Sequence, residues 1–119
     1  MPARLRPADR AAVSDARARL DAGSATPGDL RLLTKHYLAL LETRAPGRSV
    51  EVRVPPYAAV QVVEGVRHTR GTPPAVVEMD AETWIALATG ALDWPTAADS
   101  AQVRASGERA DLTPYLPLG

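Results

Sequence analysis

The amino-acid sequence predicts an α+β domain in which helices cover a mostly antiparallel sheet of about four to five strands. Three observations lead to that class. Apolar residues recur at helical spacing up to residue 46 and again between residues 81 and 90, and the period switches to strict alternation at residues 50–54. Proline and glycine punctuate the boundaries between these stretches, and their order reads helix, helix, strands, helix, strand, helix. A chain of 119 residues suits one ordinary domain, burying about two thirds of its unfolded surface.

The first helix follows Pro7 and carries Ala12, Val13, Ala16 and Leu20 on one weakly apolar face. Gly23, Ser24 and Ala25 end it, so residues 1–25 read as a helical extension and residues 26–119 as the body of the domain. The second helix opens at Thr26-Pro27-Gly28-Asp29, with threonine as N-cap, proline at the first helical position and an acid three residues after the cap. Leu30, Leu33, Tyr37, Leu40 and Leu41 share one face, Leu32 and Leu38 widen it, and Pro46-Gly47 stops the helix.

Val50, Val52 and Val54 alternate with Glu51 and Arg53, the pattern of a half-buried strand. Pro55-Pro56 breaks it, and further strands are expected at Ala58–Val63 and Ala75–Met79. Asp80 caps a helix bearing Trp84, Ile85, Leu87 and Ala88, which ends at Gly90. Asp93-Trp94-Pro95 opens a short helical turn. A fourth strand is expected over Ala101–Ser106, with Ala101, Val103 and Ala105 inward, and a terminal helix over Ala110–Leu116 ended by Pro117.

Composition narrows the function. Lys plus Arg and Asp plus Glu both number 14, so no overall field favours nucleic acid or an anionic membrane. Arg4, Arg6, Arg10, Arg17 and Arg19 crowd the first twenty residues, but no aromatic residue is interleaved to stack on bases, and they read as a solvated face. Cysteine is absent, which removes disulfides, thiolate metal sites and thiol nucleophiles together. No apolar run has the length of a signal peptide or approaches the ~20 residues of a membrane span, so a cytoplasmic chain without stable membrane insertion is expected. Phenylalanine is absent too, and a core of Val, Leu, Ala, Met79, two Trp and three Tyr leaves room for a cavity.

Chemistry-bearing patterns are sparse. His36 and His68 show no metal-ligand spacing, the serines lie in no nucleophile elbow, and no glycine-rich phosphate cradle occurs. The expectation is therefore a non-enzymatic chain with no catalytic residue, metal or cofactor. One polar cluster, Arg67 to Pro74, gathers two guanidiniums, an imidazole and two hydroxyls beside Gly71; it reads either as a grip for a phosphate or carboxylate or as a solvated connecting loop. Trp84 and Trp94 read either as core packing or as ligand contacts.

Arg70-Gly71-Thr72-Pro73-Pro74, Asp80, Trp84, Leu87, Thr89-Gly90, Asp93-Trp94 and Arg104-Ala105-Ser106-Gly107 with Arg109-Ala110-Asp111 together resemble the bacterial sterol-carrier-protein-like family, in its actinobacterial branch. The similarity extends back to about Asp29 and includes a related domain at the C-terminus of mycothiol-dependent maleylpyruvate isomerase-like enzymes. The resemblance implies a sheet and helices around an apolar tunnel for a lipid-like molecule. The walls it suggests are Leu33, Tyr37, Val62, Val77, Trp84, Leu87, Trp94 and Val103, with His68 and Arg70 as a polar rim. The implied function is a binding module for a hydrophobic small molecule, monomeric or homodimeric. The alternative is an accessory or protein-interaction domain with a filled core, working with a separate enzyme such as a thiol-cofactor-dependent transferase or isomerase.

Overall fold

The computed structural model describes residues 4–65, 75–106 and 110–119. Its elements are α1 (Arg10–Asp21), α2 (Pro27–Arg44), β1 (Val50–Val54), β2 (Ala58–Val62), β3 (Ala75–Glu78), α3 (Ala81–Thr89), α4 (Trp94–Asp99) and β4 (Arg104–Ser106), with a single 3-10 turn at Thr113–Tyr115. This is the α+β class expected. The four strands lie in the order β2-β1-β3-β4. β1 pairs antiparallel with β2 and β3 antiparallel with β4, while β1 and β3 are parallel, because the β1–β2 hairpin leaves the far edge of β1 for a strand whose chain has crossed back.

Alternation decides which face of the sheet is covered. Val50, Val52, Val54, Val62 and Val77 are fully buried on one face. Glu51, Arg53, Ala59, Gln61 and Glu78 project from the other. On that open face Arg53 Nε meets Glu51 Oε1 at 2.8 Å and Arg104 Nη2 meets Glu78 Oε2 at 2.5 Å. Exposed pairs of this kind are screened by water and contribute little, so the inner face carries the stability.

Local chemistry starts α2 firmly. Thr26 N–H donates to Asp29 Oδ2 (3.0 Å) while Asp29 N–H donates to Thr26 Oγ1 (3.1 Å), a reciprocal cap over two otherwise orphan donors. Arg19 closes a fork on the same carboxylate, Nε to Oδ2 and Nη2 to Oδ1 both at 2.8 Å. The end of α1 is thus tied to the beginning of α2. Leu33, Tyr37, Leu38 and Leu41 of α2 are buried, and Ala16 of α1 joins the same core.

Three expectations change. The fourth strand is only Arg104–Ser106: Ala101 adopts φ 61° as Ala101 N–H and Gln102 N–H fold back on the carbonyls of Ala98 and Ala97, so residues 101–103 close α4 instead of extending the sheet. Val103 is buried, but Ala101 and Ala105 are exposed; Ala105 pairs with Val77 in the outer strand of the sheet. The terminal helix over Ala110–Leu116 reduces to the 3-10 turn. Asp111 Oδ1 accepts from both Thr113 N–H (2.8 Å) and Thr113 Oγ1 (2.6 Å), competing with helical bonding, and Pro114 and Pro117 supply no donors. The second and third strands each stop one residue early, at Val62, where Val63 turns to φ 68°, and at Glu78, just before the Asp80 cap of α3.

Val63 is a β-branched residue in the left-handed region, a conformation that persists only where its surroundings impose it. Here Val63 N–H donates to Ala45 O (2.7 Å), and Val63 O accepts from Ser49 N–H (3.0 Å) and Ser49 Oγ (2.7 Å). Gly47 crosses directly against it; a Cβ at position 47 would overlap the Val63 carbonyl and Glu64 N. The α2–β1 connection and the end of β2 are thereby locked backbone to backbone.

Two outcomes follow for stability. Trp84→Ala is expected to cost about 3–5 kcal/mol, as a fully buried indole leaves a large void; chemical denaturation measures it, and a loss under 1 kcal/mol would remove Trp84 from the core. Gly47→Ala is expected to cost about 1–3 kcal/mol by overpacking, and an unchanged unfolding midpoint would contradict the close crossing.

Candidate functional site

Two places in the fold have the ingredients of a site. The first lies between the valine face of the sheet and the helices. Leu33 and Tyr37 reach it from α2, Val62 and Val77 from the sheet, Trp84 and Leu87 from α3, Trp94 from α4, and Val103 from the segment before β4. The structure brings all eight into one continuous hydrophobic cluster, from fully buried Leu33, Val62, Val77 and Trp84 to Trp94 at 8% exposure. His68 and Arg70, with the rest of the Arg67 to Pro74 cluster, lie outside the described residues.

The cluster contains a polar pole. Trp84 Nε1 donates to Thr34 O at 3.2 Å, so the indole N–H that burial would otherwise strand is satisfied by the α2 backbone. The hydroxyl of the same residue is not satisfied: Thr34 Oγ1 is buried and has no hydrogen-bond partner among the described residues. Beside it Tyr37 is met edge-on by the His36 ring at 4.8 Å between centroids. Periodicity places Thr34 next to Leu33 on α2, but only three-dimensional packing reveals that its hydroxyl is stranded.

The second place is a pocket of about 590 Å³ at the other end of α2. Glu42 and the Pro46–Arg48 loop form one side, Glu51 of β1 and Ala59, Val60 and Gln61 of β2 another, and Arg4 and Leu5 close it. None of the eight wall residues lines it. The N-terminal segment reaches this position as a strap along α2: Leu5 N–H donates to Glu42 Oε1 (3.2 Å) and Ala8 N–H to His36 Nδ1 (3.0 Å). Sequence reasoning missed the pocket because the strap is anchored through backbone donors, which leave no side-chain pattern. Among the described residues no group of three or more His, Asp or Glu is placed to hold a metal ion, and no helix is long and apolar enough to cross a membrane.

Two titrations follow from these contacts. Partial burial pushes the His36 pKa below its ordinary 6.5, consistent with a neutral ring whose Nδ1 accepts from Ala8. The Arg19 fork, followed by the Thr26 N–H, holds the Asp29 carboxyl far below the usual carboxylate range.

A family model described as bacterial SCP ortholog matches residues 28–118 of this chain. No curated protein gives a significant match. The matched span holds α3, α4, the whole sheet and nearly all of α2, whereas the strap and α1 precede it.

The pKa directions fix the sign of the pH response. For His36 the unfolded chain takes up its proton first, so the contribution is complete above pH 6.5 and is lost as pH falls through the lower folded value. For Asp29 the contribution is complete above its ordinary 3.8 and lost only in stronger acid. Thermal melting against pH is therefore expected to show a first decline beginning near pH 6.5 that His36→Gln flattens. A decline of unchanged slope in that variant would exclude the His36 contact as its source.

Proposed function

The chain belongs to the bacterial SCP ortholog family, and from that membership we propose that it is a non-enzymatic binding module whose core accepts an apolar or amphipathic small molecule between the valine face and helices α2 and α3. The observation that carries this reading is the hydroxyl of Thr34, buried and unpaired among the described residues. A buried polar group without a partner costs about 1–3 kcal/mol, and native cores rarely tolerate one. A guest whose polar atom reached Thr34 Oγ1 would relieve that cost, while its apolar part gained about 0.8 kcal/mol per buried CH₂. The walls of this reading are the eight residues gathered in the hydrophobic cluster, and His68 and Arg70 are its proposed rim. A cytoplasmic location belongs to the same proposal and agrees with a chain that has no cysteine to protect or oxidise.

A second reading has its own support. All eight wall residues are at most 8% exposed, and the 590 Å³ pocket lies away from them. A filled core of that kind suits an accessory domain that acts beside a separate enzyme.

Native mass spectrometry of protein purified from its host separates the two. The binding reading expects a co-purifying lipid-sized mass that Thr34→Val reduces at least several-fold, while the empty variant is as stable as the parent or more stable by about 1 kcal/mol. A clean apo mass in both proteins, with a structure lacking an internal cavity, would leave the accessory reading.

A further inference from the structure

We infer that the pocket between the N-terminal strap and the Pro46–Arg48 loop is a second site, which binds the anionic group of a small organic molecule through Arg4 and Arg48. It stands apart from the Thr34 pole and does not depend on it.

The charges in the pocket are not equivalent. One oxygen of each of its two acids is already engaged: Glu42 Oε1 accepts from Leu5 N–H at 3.2 Å, and Glu51 Oε1 accepts from Arg53 Nε at 2.8 Å. Its two arginines are not. Among the described residues neither Arg4 nor Arg48 enters an ion pair or a side-chain hydrogen bond, although both are exposed and line the same pocket. The donors of both guanidinium groups are therefore unspent, and such groups match the planar or tetrahedral oxygens of carboxylate and phosphate. Leu5 and Val60 add apolar wall beside these charges. A carboxylate or phosphate bearing a short apolar substituent fits that combination.

The pocket is also built on rigid backbone. Arg48 follows Gly47, whose crossing with the left-handed Val63 fixes the loop, and Ser49 is bound to Val63 O through both its N–H and its Oγ. Backbone held in sparsely populated conformations recurs at ligand sites, where it fixes geometry before binding. The opposite arginine comes from the strap, which the hydrogen bonds from Leu5 and Ala8 pin to α2. Because the family match begins at residue 28, half of the cationic pair lies outside the region shared with the family.

The test is a titration of the full chain, followed by amide chemical shifts, with three probes: inorganic phosphate, octanoate and tetramethylammonium. Saturable shifts at Leu5, Gly47, Arg48 and Gln61 are expected with at least one anion and not with the cation. Phosphate alone would assign a phosphate group and octanoate alone a carboxylate with its tail, and either supports the site. The double variant R4Q/R48Q, altered only at exposed positions, is expected to weaken binding at least tenfold with an otherwise unchanged spectrum, and Thr34→Val is expected to leave the pocket shifts intact. Absence of saturable shifts with both anions, equal binding by R4Q/R48Q, loss of the pocket shifts in Thr34→Val, or preference for tetramethylammonium would each overturn the assignment.

Discussion

The packing of α2 against the valine face of the sheet is the contact on which the other parts of the molecule depend. The face is built from Val50, Val52, Val54, Val62 and Val77, short side chains that expel water only if a helix lies close above them. Leu33, Tyr37, Leu38 and Leu41 supply that cover, and α3 completes it with Trp84, whose indole N–H is answered by a carbonyl of α2. Once α2 is placed, its two ends organise the rest. The N-terminal end holds α1 through the Arg19–Asp29 fork, and the C-terminal half supports the strap through His36 and Glu42. Near the last turn, Arg44 Nη1 donates to the carbonyls of Tyr115 (3.1 Å) and Pro117 (2.6 Å), which folds the tail back so that Leu118 N–H reaches Ala88 O.

The parts of this arrangement written in local chemistry were legible from residues alone. Thr26 with Asp29, Asp80 before α3, Asp93 before α4 and the left-handed Gly90 each declare a helix end by the groups they satisfy. Alternation at residues 50–54 declares a strand with one buried side. The failures occur where a distant contact decides. Residues 101–106 alternate as a strand should, yet the backbone of α4 claims Ala101 and Gln102 before the sheet can. Residues 110–116 were expected to be helical, but Asp111 captures both the N–H and the hydroxyl of Thr113, and Pro114 brings no donor. The parallel pairing of β1 with β3 is a matter of chain crossing, to which side-chain periodicity is blind.

The same division applies to the candidate sites. Apolar periodicity marked Leu33 and Tyr37 on one face of α2, and burial is what periodicity reports, but it did not say that they share a layer with Trp84 and Leu87 of α3. It was silent about Thr34, whose oxygen is distinguished only by the partner it lacks. It was equally silent about the strap pocket, where the anchoring donors are main-chain N–H groups of residues with no shared pattern. Family membership and core composition point to the interior beside the middle of α2, and unspent charge points to the strap pocket beside its C-terminal end.

The open face of the sheet has a consequence for how copies of this protein coexist at high concentration. Among the described residues β2 and β4 are the outer strands, and an outer strand's free edge is the template on which chains add to one another and grow into aggregates. β4 is three residues long and carries the exposed Arg104, which limits how much ladder a second chain could extend from it. Arg53, Glu78 and Arg104 stand in register across β1, β3 and β4, so sliding a neighbouring sheet onto this face would require stripping water from charges of both signs. The pattern that leaves this surface without a helix thereby also makes it a poor surface for self-stacking.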